Sequence, residues 1–319
     1  MSQHFLLSAK ARTLSLKAIY AGGEDSAYAT FRKLRWPQTD GEAVCPRCGG
    51  CESYDISTRR RFKCVACGHQ FSVTSGTMFA SRKMAFVDLL AAICIVVNAV
   101  KGLSAMQLSR DLDCQHKTAF VLAHKLREAM ASETAGATLD GEVEIDGSYY
   151  GGKIRPANLV ENRVDRRLAK HQTGKRRVVI ALRQRKGRTL PFVAKHEQEG
   201  VELAKRFVSR SSIMHADEAA HWDALHSGWQ TRRINHSEAY SLPEGCTNQA
   251  ESFFSRLRRM VEGQHHSVSP QYLHQYASHA AWLEDHRRDD NGSNARRALG
   301  LALAHPVGRA WKGYWQRAA

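Results

Sequence analysis

The chain lacks any apolar run long enough to cross a membrane. Its longest, Leu89 to Val97, is closed by Asp88 and Asn98, well short of the roughly 20 residues a spanning helix needs. It reads as a buried helix. The opening stretch MSQHFLLSAKARTLSLKAIY has no basic segment leading into a long apolar one with a small-residue cleavage site. No secretory signal is therefore expected, and a cytoplasmic protein with reduced thiols is. Acids are also in short supply, with 31 Asp+Glu against 47 Lys+Arg, a formal charge of +16 and a pI near 9.7. That balance points to a polyanionic partner, phosphate backbones above all. Apolar residues are not scarce: at 43% of 319 residues they exclude gross disorder and can build two or three domains with substantial cores.

Four of the eight cysteines stand in the order Cys45-Pro-Arg-Cys48 and Cys64-Val-Ala-Cys67, with fifteen residues between the pairs. This is a structural zinc spacing. Each pair turns the chain so that two thiolates face one ion, and two such knuckles close a tetrahedral four-sulfur site with no open position. Gly49 and Gly68 follow the second cysteine of each pair, where a positive φ is needed. Ser53 to Ile56 and Arg60 to Lys63 read as short strands of a zinc ribbon. Cys51, Cys94, Cys114 and Cys246 read as ordinary thiols.

From Ala85 to Ala131 there is no proline, and apolar residues recur at helical spacing. Ser104 can cap a helix carrying Met106, Leu108 and Leu112. A polar turn, Asp113 to Lys117, then leads into a second helix through Phe120, Leu126 and Met130. Two tightly joined helices, the second bearing Gln115, His116, Lys117, Lys125 and Arg127, fit a helix-turn-helix that places its later helix in a major groove; plain helical packing is the competing reading.

Glu142 to Tyr150 alternates at the strand period, with Val143 and Ile145 on one face and Glu144, Asp146 and Ser148 on the other. Asp146 is thus expected on a face turned away from the core. Arg176 to Leu182 and Thr189 to Ala194 read as two more strands around an Arg185-Lys-Gly-Arg188 turn. A helix over Glu197 to Val208 and a strand over Ser212 to Asp217 follow, with His215 on the face of Asp217. Arg232 to His236 fits a fifth strand. Thr247 can cap a long helix that carries Asn248 and Glu251 in its first turns and buries Phe253, Phe254, Leu257, Met260 and Val261 on the opposite side. Three strands, a helix and a strand, with acids on the first and fourth strands and on a late helix, make a ribonuclease H-like α/β arrangement. Carboxylates from several elements suit Mg²⁺ or Mn²⁺, two of which sit about 3.5–4 Å apart in two-metal sites. Glu142, Glu144 and Glu218 read as solvated surface.

The segments Glu-Ile-Asp146-Gly-Ser-Tyr-Tyr-Gly-Gly-Lys, His-Ala-Asp217-Glu and Asn248-Gln-Ala-Glu251-Ser-Phe-Phe-Ser-Arg-Leu-Arg-Arg, behind a zinc ribbon and a helical segment, resemble the DDE-type transposases of bacterial insertion sequences. The resemblance is to the subgroup with an N-terminal zinc ribbon and runs from about Phe31 to Trp315. It implies that Asp146, Asp217 and Glu251 form a catalytic triad binding Mg²⁺ or Mn²⁺, beside a structural Zn²⁺ on Cys45, Cys48, Cys64 and Cys67. Asn248, one turn before Glu251, competes for the third place, because some members of the subgroup use asparagine; a carboxylate binds Mg²⁺ more strongly than an amide. The implied activity is cleavage at the ends of an element and strand transfer into double-stranded DNA, by a homo-oligomer at the nucleoid and without a membrane partner. A nuclease of the same fold and a non-catalytic zinc-ribbon regulator are the alternatives.

DNA contacts are expected from Gln115, His116, Lys117 and Lys125, from Arg166, Arg167, Arg176 and Arg177 in a dense basic stretch, and from Arg258 on the face of Glu251. His215 and His236 read as hydrogen-bonded structural histidines before catalytic ones. The expected organisation is multidomain: an N-terminal helical segment at 1–40, a zinc ribbon at 41–79, the helix-turn-helix segment at 80–135, the ribonuclease H-like catalytic domain at 140–290 with a basic insertion at 153–175, and a basic tail at 291–319.

Overall fold

The computed structural model describes residues 5–152, 156–165, 168–171, 173–235, 246–308, 310–311 and 313. The chain divides into two compact units, Met1–Glu133 with His286–Ala319, and Thr134–Asp285.

In the first unit, α1 (Leu16–Arg35) starts at Ser15, whose side chain accepts the Ala18 N–H at 3.1 Å, and is kinked at Gly23. The three-stranded antiparallel ribbon follows as β1 (Ser53–Ile56), β2 (Arg61–Cys64) and β3 (Gln70–Phe71). Its core is a cluster of rings: Trp36 lies edge-on to Phe62 and Phe71 at 5.6 and 6.3 Å. The apolar run forms α2 (Phe86–Asn98), with Leu89, Ile93 and Cys94 buried. α3 (Ala105–Asp111) begins at Ser104, which accepts the Gln107 N–H at 3.1 Å as a cap. Asp113, with a φ of 46°, turns the chain into α4 (His116–Ser132). Residues 291–304, expected to open a basic tail, form a helix packed on α1, α2 and α4. Trp311 stacks on His124 with ring centroids 4.2 Å apart and donates its indole N–H to Glu128 at 3.0 Å, so packing is the role of this aromatic.

The second unit is built on β4 (Glu142–Tyr150), β5 (Arg177–Gln184), β6 (Thr189–Ala194), β7 (Ile213–Asp217) and β8 (Gln230–Ile234) in the order β6-β5-β4-β7-β8. The first three strands are antiparallel neighbours and β7 and β8 run parallel to β4, the mixed arrangement expected for a ribonuclease H-like sheet. α5 (Glu199–Phe207) provides the crossover between β6 and β7. α6 (Asn248–Arg258) and α7 (Pro270–Asp285) follow, and the last helix among the described residues, in the first unit, is α8 (Asn291–Ala304).

Both faces of the sheet are covered. Val143, Ile145, Val178 and Ile180 pack with Val201, Trp222 and Trp229 on one side. Tyr150, Val179 and Ala181 pack with Phe253, Phe254, Leu257 and Leu273 on the other. The alternation read in β4 is therefore right, but the face of Asp146 is not turned away from a core. α6 and α7 cover it, and Glu144 on that face is fully buried.

Candidate active site

β4 lies at the centre of the sheet, so an acid on its C-terminal half has a strand on each side. Its parallel pairing with β7 runs from Glu142 opposite Ile213 to Glu144 opposite His215. Two residues further on, the same register brings Asp146 level with Asp217, the last residue of β7. Glu251 lies in the first turn of α6, with Phe253, Phe254 and Leu257 buried beneath it and its own side chain half-buried. The charges converge on Asp146. Burial, and then the charges of Asp217, Glu251 and Glu197, push the Asp146 carboxyl up to about 7, against the opposing effect of the Gly147 N–H, which it accepts at 2.7 Å. Asn248, by contrast, is exposed at the first position of the helix.

The donor set is all carboxylate oxygen, half-buried and mutually repelling. It fits Mg²⁺ or Mn²⁺, hard cations whose charge relieves that repulsion. The oxygens do not gather tightly: among the described residues, the cysteine set alone brings three or more ligand atoms within 4.8 Å of one another.

Glu144 is the main correction to the sequence reading. Far from solvated, it accepts the N–H groups of Gln249 and Ala250 at 2.8 and 2.9 Å and pairs with Arg185 at 3.0 Å. It is the acid at the N-terminus of α6, where unpaired N–H groups and the helix dipole favour negative charge. Thr247, expected to cap the helix, makes no capping bond with its side chain. Arg185 also donates to the Cys246 carbonyl at 3.1 Å and pairs with Glu142, which is itself 3.0 Å from His215 Nε2. His215 is buried, and its pKa is lowered by that burial and by Arg185. It therefore belongs to the scaffold beneath Asp217. Glu218 is exposed, as read.

Glu197, read in the sequence only as the start of a helix, is one of the acids whose charge reaches Asp146. It stands in the turn before α5, where its own carboxyl is raised by burial and by the Asp217 charge. No motif marks it.

The basic residues divide by placement. Arg258 donates to Ser148 Oγ at 3.3 Å, so its guanidinium reaches the strand of Asp146. Arg176 lies over the Tyr149 ring at 4.2 Å, and Arg177 donates to the Gly174 carbonyl at 2.9 Å. Gln115, His116 and Lys117 are exposed at the start of α4. Lys125 is turned inward, donating to the Met78 carbonyl at 2.9 Å, and the buried Arg127 donates to that of Leu103 at 3.3 Å. Arg166, Arg167, His236, Tyr314 and Trp315 lie outside the described residues, as do parts of the 153–175 insertion.

In the first unit, Cys45, Cys48, Cys64 and Cys67 bring their four sulfur atoms within 4.8 Å of one another. The knuckles close as expected. Gly49 donates to the Cys45 carbonyl at 2.9 Å and Gly68 to that of Cys64 at 3.0 Å, with φ values of 75° and 66°. A four-thiolate tetrahedron suits structural Zn²⁺.

Residues 138–285 match the family model of the ISXO2-like transposase domain, and residues 22–70 that of the transposase zinc-ribbon domain. The chain belongs to the DDE-type insertion-sequence transposases with an N-terminal zinc ribbon. No curated protein and no solved structure matches it. Among the described residues, no helix is long and apolar enough to cross a membrane.

Proposed function

We propose that the protein binds the ends of an insertion sequence and catalyses divalent-metal-dependent strand cleavage and strand transfer. The observation that carries this reading is the convergence of charge from Asp217 and Glu251 on a half-buried Asp146, inside a transposase domain. Asp146, Asp217 and Glu251 would hold Mg²⁺ or Mn²⁺, which supplies Lewis acidity at the phosphodiester when bound. Arg258 places a positive charge beside Ser148, where it can pair with a DNA phosphate. Water opens the strand at the element's end. The freed 3′ hydroxyl then attacks a target phosphodiester in line, forming one P–O bond as the target's own 3′ oxygen leaves, so the number of phosphodiester bonds is conserved and no covalent protein intermediate is needed. Exposed Gln115, His116 and Lys117 on α4, with the zinc ribbon, would engage the terminal repeats. Two ends must be joined together, which calls for a homo-oligomer acting on double-stranded DNA at the nucleoid.

The test is a strand-transfer reaction with end-sequence DNA and Mg²⁺ or Mn²⁺. Joining that disappears in both Asp146→Ala and Asp217→Ala supports the reading. Cleavage without joining by the unaltered protein would make it a nuclease, and end binding with neither reaction a regulator.

A further inference from the structure

The connection from β1 to β2 carries the consecutive arginines Arg59, Arg60 and Arg61, and all three line one cavity of about 590 Å³ in the first unit. Their surroundings differ. Arg60, with a φ of 47°, turns back on α1, where it pairs with Asp25 at 2.8 Å and Glu24 at 3.5 Å and lies over the Tyr28 ring at 5.0 Å. Arg59 and Arg61 on either side of it are exposed and make no ion pair among the described residues. A fourth lining arginine, Arg82, is held 3.4 Å from the centre of the Phe86 ring. No described Asp or Glu lines the cavity.

Hydroxyl groups supply much of the remaining lining. The pairing of Phe62 with Phe71 brings Arg61 level with Ser72, the residue just past β3. There the chain turns back on itself, the Ser75 N–H donating to the Ser72 carbonyl at 3.0 Å and the Ser72 N–H to Ser75 Oγ at 2.9 Å. Ser72 Oγ consequently lies 3.3 Å from Thr74 Oγ1 and 3.2 Å from Ser75 Oγ. Buried Phe71 and Val73 anchor this turn from within. Clustered hydroxyls beside two guanidinium groups that no carboxylate neutralises are donors for a phosphate, and they repel a cation. The exposure of Arg59, Arg61, Gly76 and Ser81 leaves the site open along its rim, as a polymer backbone requires.

The site also has a continuation. A second cavity, of about 650 Å³, shares Ala80, Ser81 and Arg82 with the first and extends past Lys83 to Gln115 and Lys117 at the start of α4.

We propose that Arg59, Arg61 and the Ser72–Ser75 turn form a binding site for DNA backbone phosphates, and that the bound strand runs on past Lys83 to the start of α4. The ribbon and the helix-turn-helix then hold one duplex as a single surface, the ribbon fixing its register and α4 reading its bases. The proposal rests on the reading of the protein as a binder of element ends.

The experiment is fluorescence anisotropy of the zinc-loaded full-length protein with an end-sequence duplex and an unrelated duplex of equal length, each over a series of salt concentrations. Arg59→Gln and Arg61→Gln are each expected to weaken binding to both duplexes by about fivefold and to lower the slope of log affinity against log salt by about 1, the signature of one lost phosphate contact. Lys83→Gln should lower it by the same step, and the Lys83→Gln, Arg61→Gln double variant by about 2. Arg61→Lys, which keeps the charge, should keep the slope. Lys17→Gln removes an exposed charge on α1 that lines neither cavity, and should leave the slope as in the parent. Thermal melts and zinc content identify any variant whose fold has failed, and the remaining variants then carry the test. If Arg59→Gln and Arg61→Gln keep the parent slope while the parent binds the end sequence, the phosphate site is refuted and end binding stands. A loss confined to the end-sequence duplex would make these arginines readers of bases, and refutes the phosphate assignment. A slope unchanged by Lys83→Gln alone refutes the continuation to α4. If the parent binds neither duplex, the end-binding reading fails and the site with it.

Discussion

Glu144 accepts the backbone N–H groups of Gln249 and Ala250 at 2.8 and 2.9 Å, so the strand that carries Asp146 also grips the first turn of the helix that carries Glu251. Two acids two residues apart on β4 do different work. Asp146 faces the proposed chemistry, and Glu144 fixes the distance from it to the third acid. Glu144→Ala should therefore destabilise the protein by about 3 kcal/mol, because Arg185 and two helix N–H groups lose a buried partner. Glu144→Gln keeps the shape without the charge; it should fold, melt lower, and show strand transfer reduced by roughly 10- to 100-fold. Urea denaturation and the joining assay measure the two effects, and full joining activity in the glutamine variant would exclude a positioning role.

The choice between Glu251 and Asn248 is open to direct measurement. Because the Glu251 charge reaches Asp146 while Asn248 is exposed, Glu251→Gln should lower joining by about 100-fold or more. Asn248→Ala should change it little. The opposite ranking would move the third ligand one turn earlier on α6.

Acidity gives a third expectation. The Asp146 carboxyl is raised to about 7 in the folded chain, chiefly by burial and then by its acidic neighbours, against roughly 3.9 when unfolded. A group raised in this way favours the folded state most at low pH, and its contribution is lost as pH climbs from about 4 through 7. Without divalent cation, the melting temperature should accordingly fall across that window by more in the parent than in Asp146→Asn. Adding Mg²⁺ should recover more stability at pH 8 than at pH 5. Equal slopes for parent and variant in the metal-free series would show that Asp146 is not the group responsible.

Zinc should be structural only. Chelation, or Cys45→Ser, is expected to release one Zn²⁺ per chain, to loosen the rings of Trp36, Phe62 and Phe71, and to abolish end binding. Metal analysis and tryptophan fluorescence report the first two changes. Retention of zinc by the serine variant would require a different ligand set.

What the sequence revealed was mostly local. The two cysteine knuckles, the glycines after them, the Ser104 cap and the buried face of α6 each depend on residues within a few positions, and short-range spacing encodes them. Strand alternation correctly put Glu144 and Asp146 on one face. Whether that face met water depended on helices more than 100 residues downstream, which no period in β4 records. The reach of the Glu197 charge to Asp146 was missed for the same reason: it comes from the fold before α5, and in the sequence Glu197 is one more acid at a helix start. Lys125 shows the converse: a basic residue on a presumed DNA-reading helix spends its charge on the carbonyl of Met78.

The order of strands also bears on when the protein becomes able to act. β5 finds β6 through a tight turn, β4 reaches β5 across the 151–176 connection, and β7 joins only after the α5 crossover. The helix with the last acid docks onto Glu144 across 105 residues of chain. Long-range closures of this kind come late, because loop entropy must be overcome before they are rewarded. A chain emerging from the ribosome thus holds the first of the proposed acids long before the third, and a truncated or half-folded copy has a sheet but lacks the proposed triad. On the proposed reading, competence to break DNA is confined by topology to molecules that have finished folding.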